Sequence, residues 1–111
     1  MAQKQAVIVC GYSLFMAGVA VNVEKDEILH VIKTIDLAEI RQILRSVRPK
    51  AIIVDRAETE WSCLAALNRE HPGIAIIALD HENNMASIYS CHQEQVATIQ
   101  DVKEIVLKYR S

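Results

Sequence analysis

Three groupings in this 111-residue chain combine residue types and spacing that could do chemistry. Asp55 closes the apolar run Ala51-Ile52-Ile53-Val54-Asp55, so a carboxylate stands at the end of a buried strand. Ligand and reaction sites of open α/β sheets gather at such strand ends. Cys10-Gly11 closes a second apolar run, Ala6–Cys10, where a thiol ahead of a helix N-terminus can be activated and phosphate can be bound. His81, Cys91 and His92 could meet at one end of a sheet and ligate a metal.

Each grouping has a plainer reading beside it. Asp55 can equally be an acid left at a strand terminus. The loop after Cys10 offers Leu14-Phe15-Met16, too bulky for a backbone cradle, and no arginine completes a Cys-x5-Arg phosphate loop. A buried, inert Cys10 is therefore expected. The His81, Cys91 and His92 spacing matches no zinc motif, and a fourth ligand is not evident. Trp61, among polar residues, reads either as a half-exposed contact residue or as a cover over a short loop. Arg41, Arg45 and Arg48 make a stripe expected to be a solvated face.

Elements to position these residues can be read from periodicity. Ala6–Cys10 has the continuous apolar, β-branched character of a strand buried on both faces. Gly11-Tyr12-Ser13 breaks it, and Ser13 can cap a helix running to about Glu24. Ile28–Ile35 reads as a second strand. Asp36 and Glu39 have capping-box spacing ahead of Leu37, Ile40, Ile43, Leu44 and Val47, with Arg48-Pro49 ending that helix. Ala51–Asp55 is a third strand, Thr59–Glu70 a helix burying Leu64 and Leu67, and Ile74–Leu79 a fourth strand. Asp101–Lys108 reads as a last helix.

Between Leu79 and Asp101 the rhythm breaks. Asp80-His81-Glu82-Asn83-Asn84 is turn-like and Ser87–His92 reads as a short strand. A parallel crossover needs about a dozen residues including its helix. The span favours a loop, or a hairpin with the fifth strand antiparallel. The expectation is one domain, an α/β doubly wound, flavodoxin-like parallel sheet of about five strands, its fourth helix lost or shortened.

Bulk properties narrow the function classes. Half the residues are apolar (51%), 23% are charged, and the net charge is -2. That is a globular composition without the concentrated Lys and Arg that nucleic acid or an anionic membrane rewards. The apolar runs are far too short to span a bilayer. Three cysteines without CxxC spacing suit free thiols in a reducing cytoplasm.

Val7-Ile8-Val9-Cys10-Gly11-Tyr12-Ser13-Leu14-Phe15-Met16-Ala17-Gly18-Val19 resembles the opening of NarL-type response-regulator receiver domains, with Leu14, Phe15 and Gly18 in register. Pro49 to Leu67 continues the match without a gap, and His71-Pro72-Gly73-Ile74 with Ile76-Ile77-Ala78-Leu79 resembles the family's connection and fourth strand. The resemblance covers about residues 6–80. It implies a CheY-like fold and puts Asp55 at the phosphoacceptor position.

The reactive residues that the resemblance calls for are missing. Two acids expected after the first strand are Cys10 and Gly11; a thiol is a poor Mg²⁺ ligand and Gly11 offers no side chain. The switch Ser or Thr is Asp80, whose charge would repel a phosphorylated Asp55. The lysine after the fifth strand is absent, and a loose match of Ala86-Ser87-Ile88-Tyr89 puts His92 in its place. Without the metal, each anion contact near a surface costs about 1–4 kcal/mol. Mg²⁺ at Asp55 and Asp80 would be held weakly, and no other cofactor is implied.

The resemblance thus implies a stand-alone pseudo-receiver, not an enzyme. It would act in two-component signal transduction through protein partners, with a homodimer open to it and no direct nucleic acid or membrane contact. The alternative is a phosphoaccepting domain. It would be either a weakly active receiver using Asp55 or a carrier using Cys10, similar to the phosphocysteine IIB domains of sugar phosphotransferases.

Overall fold

The computed structural model describes residues 5–89 and 94–98, with side chains through Ile88. The chain runs β1 (Gln5–Cys10), α1 (Leu14–Glu24), β2 (Leu29–Thr34), α2 (Leu37–Ile43), β3 (Ala51–Asp55), α3 (Trp61–Glu70), β4 (Ala75–Asp80), β5 (Met85–Tyr89) and β6 (Glu94–Thr98). These strands form one sheet in the order β2-β1-β3-β4-β5-β6. The first four are parallel; β5 pairs antiparallel with β4, and β6 antiparallel with β5.

Strand order and helix placement have one cause. The chain steps outward from β1 to β2, then crosses back over β1 to β3. With right-handed crossovers that reversal puts α1 on one face and α2 and α3 on the other. Two cores result. Val7, Val9, Ile53, Ile77 and Leu79 pack with Met16, Ala20 and Val23 of α1. On the opposite face Ile8, Ile52, Val54 and Ile76 pack with Ile40 of α2 and Leu64 and Leu67 of α3. Every residue of β3 is buried, so neither face can take a polar side chain without a partner. Each fully buried Ile, Val or Leu contributes about 1.5–3 kcal/mol.

Local signals set the helix starts. Ser13 Oγ accepts from Met16 N at 3.1 Å, and Asp36 Oδ1 from Glu39 N at 2.9 Å. Glu39 Oε1 returns to the Ile35 amide at 2.8 Å, one residue before the donor of a standard capping box.

Several boundaries depart from the expectations. The α2 helix stops at Ile43 instead of Val47; Arg45 and Ser46 amides turn to the Gln42 and Ile43 carbonyls, tightening the end before Pro49. The helix expected from Thr59 begins at Trp61, because Arg56–Glu58 forms a separate 3₁₀ turn. The fifth strand is Met85–Tyr89, earlier than Ser87–His92, and is antiparallel across a loop of residues 81–84. Asn84 adopts φ +53 there, a left-handed conformation that Asn tolerates. A hairpin needs no crossover helix, which accounts for the missing amphipathic segment. The sixth strand was not expected, and the expected helix Asp101–Lys108 lies outside the described residues. Among the described residues no helix is long and apolar enough to cross a membrane.

Candidate functional site

The winding reverses between β1 and β3, the place where ligands of open α/β sheets bind, and Cys10 and Asp55 stand at the carboxyl ends of these two strands. Asp55 is 2% exposed. Its Oδ2 accepts from Ser13 Oγ at 3.2 Å and its Oδ1 from the Ala57 amide at 3.0 Å. A buried carboxylate needs such donors, and both come from the chain itself. One hydroxyl, Ser13, thereby caps α1 and ties it to the end of β3.

Gly11 has φ +146, a conformation that L side chains rarely adopt. A Cβ built there would stand 2.8 Å from Met16 Cγ and 2.8 Å from Glu58 Oε1. An acid at this position is therefore disfavoured by backbone strain and by crowding together. Glu58 instead brings a carboxylate over the same place from the turn after β3.

Cys10 is buried and free, as Cys63 is free and half-buried. Burial pushes the Cys10 thiol up from its ordinary value; the Thr34 hydroxyl, its neighbour in the β1–β2 ladder, pulls the other way, and Asp36, Glu58 and Glu39 raise it further. The sulfur is a neutral thiol at physiological pH, the opposite of an activated nucleophile.

Asp80 serves its own turn. Its Oδ1 accepts from the Glu82 and Asn83 amides at 3.1 and 3.3 Å, and its Oδ2 from Asn83 Nδ2 at 2.7 Å. Those bonds, the Asn83 amide side chain first, hold its carboxyl below the usual range. The turn places His81 against Phe15, with ring centroids 4.9 Å apart, so the hairpin tip packs on the first turn of α1. Cys91 and His92 lie outside the described residues. Among the described residues no three or more His, Cys, Asp or Glu side chains are grouped to hold a metal ion.

Trp61 is 42% exposed, and the Arg56 guanidinium lies 4.0 Å over its ring. Tyr12 and Leu14 after β1 and Ile35 after β2 are also exposed large apolar residues. All four follow carboxyl ends of strands, so they rim the same end of the sheet as Asp55.

The structure thus brings together Asp55, Gly11 and Cys10, and assigns Asp80 to the hairpin. Sequence reasoning missed the second role of Ser13 and the approach of Glu58. Asp55-Arg56-Ala57-Glu58 has the Asp-x-x-Glu spacing of a helix start, which could have announced the tight turn that carries Glu58 back. Comparison with protein-family models, curated proteins and solved structures finds no match.

Proposed function

We propose that the domain is a degenerate receiver-like signalling module that works through protein–protein contacts and does not use conventional aspartyl phosphorylation. The observation that carries this reading is Gly11: its φ of +146 and the crowding by Met16 and Glu58 disfavour a metal-binding side chain at that position. Both Asp55 oxygens already accept hydrogen bonds from the chain. The order of the first five strands, β2-β1-β3-β4-β5, supports the flavodoxin-like expectation, with β5 reversed. Exposed Tyr12, Leu14, Ile35 and Trp61 at the same end supply apolar contact area for a protein partner.

A weakly active receiver keeps one observation in its favour, the Glu58 carboxylate over Gly11. Intact mass after incubation with acetyl phosphate and Mg²⁺ separates the two readings. The proposal expects an unchanged mass. A phosphoryl adduct that disappears in Asp55→Asn and weakens in Glu58→Gln would overturn it in favour of the receiver. An adduct lost only in Cys10→Ser would favour a phosphocysteine carrier.

A further inference from the structure

At the amino-terminal ends of the strands, opposite Asp55, the connections leading into β3 and β4 border an open pocket of about 480 Å³. Its volume lies within the roughly 300–1,000 Å³ of small-molecule sites. Leu44 and Ile74 supply apolar walls, and Arg45 and Arg48 supply charge. The early end of α2 at Ile43 leaves Arg45 on the turn after the helix and Arg48 on the segment leading to β3, both bordering this pocket. Arg48 reaches across it: one guanidinium nitrogen lies 3.8 Å from where a Cβ on Gly73 would stand.

The charge balance of the lining is uneven. Glu70 is the acid among the lining residues, and its carboxylate is taken by the Arg41 guanidinium. Arg45 and Arg48 form no ion pair among the described residues. Two guanidinium forks beside an apolar wall, with the adjacent acid already neutralised, favour a ligand that presents oxyanions. The pocket shares no lining residue with the Asp55 end of the sheet, so its ligand is independent of the receiver reading.

We infer that this pocket binds a small molecule carrying two or more oxyanionic groups, phosphate or carboxylate, on a compact body. Arg45 and Arg48 grip the oxyanions, and Leu44 and Ile74 receive the body.

The test is an amide NMR titration of the full chain with inorganic pyrophosphate and, separately, with citrate, at constant ionic strength so that general screening does not change. Saturable shifts at residues 44–48 and 70–74 are expected. Each of Arg45→Ala and Arg48→Ala should weaken the binding about tenfold, the usual effect of losing a charged hydrogen-bonding partner. Replacing both by Lys keeps the charge without the fork and should leave binding intermediate. Tighter pyrophosphate identifies a phosphorylated ligand, and tighter citrate a polycarboxylate. Shifts that fail to saturate by about 10 mM, that centre elsewhere, or that survive in an Arg45→Ala/Arg48→Ala variant with a folded spectrum would overturn the inference.

Discussion

The Ser13 hydroxyl donates to Asp55 Oδ2 while accepting from the Met16 amide, so one side chain both starts α1 and partners the carboxylate that ends β3. Ser13→Ala removes both bonds at once. The cap alone is worth about 1 kcal/mol, and a hydrogen bond to a buried carboxylate about 1.5–3 kcal/mol. A loss of roughly 2–4 kcal/mol in urea unfolding is expected. In Asp55→Asn the same Ser13→Ala change should cost less, because the partner is no longer charged. Equal costs in both backgrounds would show that the charge of Asp55 adds nothing to its bond with Ser13.

Gly11 supplies a second prediction. Gly11→Ala should destabilise by about 1–3 kcal/mol through backbone strain, with a further penalty from contact with Met16. Removing the Glu58 side chain as well relieves only the flexible contact, so Gly11→Ala/Glu58→Ala should recover a minor part of the loss. Full recovery would mean that the φ of +146 is not required. Gly11→Asp, which would put an acid at the end of β1, should be less stable than Gly11→Ala and, on the proposed reading, still fail to take a phosphoryl group.

Much of this arrangement was legible in the sequence. The apolar runs are buried on both faces from Val7 to Cys10 and from Ala51 to Asp55, and their alternation divides the two cores; Ser13 and Asp36 cap where their side chains predicted. Two kinds of information were not legible. Glu94-Gln95-Val96-Ala97-Thr98 carries too little apolar alternation to announce β6, which pairs along the edge of β5. The φ of Gly11 and the return of Glu58 depend on how β1 and β3 are held side by side, a tertiary fact that no local window contains.

The Cys10 thiol gives a pH prediction. Its value in the fold is raised, chiefly by burial, while the unfolded chain ionises near the ordinary value of 9.0. The contribution of Cys10 to stability is therefore fully present below pH 9.0 and is lost as pH rises toward the folded value. Unfolding curves for the protein and for Cys10→Ala should converge or cross as pH increases through that window, measured against the same lysine and tyrosine background. Iodoacetamide at pH 8 should label Cys10 more slowly in the native protein than in urea. Fast native labelling would mean an accessible thiolate, and would revive the carrier reading.

Asp80 shifts the opposite way. Hydrogen bonds from Asn83 and Glu82 stabilise its charged form, so its carboxyl should titrate in the folded protein below the ordinary 3.8. Its contribution is present above that value and is lost as pH falls through the depressed folded one. Carboxyl ¹³C NMR should show the low midpoint, and Asn83→Ala, which removes the leading donor, should move it upward. A midpoint unchanged by Asn83→Ala would leave the Asp80–Asn83 bond without energetic weight in solution.

Leu14 and Met16 sit two residues apart on α1, yet Leu14 is 92% exposed and Met16 is 1% exposed. Burial makes opposite demands on them. Met16→Ala removes core volume beneath Val7 and Val9 and should cost about 2–5 kcal/mol. Leu14→Ser should change stability by no more than about 0.5 kcal/mol, as for any surface site away from a special contact. Tyr12→Ser, at a residue 78% exposed, should behave likewise. Parallel urea unfolding of the three variants measures this directly. If Leu14→Ser proves as costly as Met16→Ala, the apolar rim belongs to the folding core of this chain and is not available to a partner. If it is neutral, the apolar rim is not needed for folding and stays open to the contact proposed above.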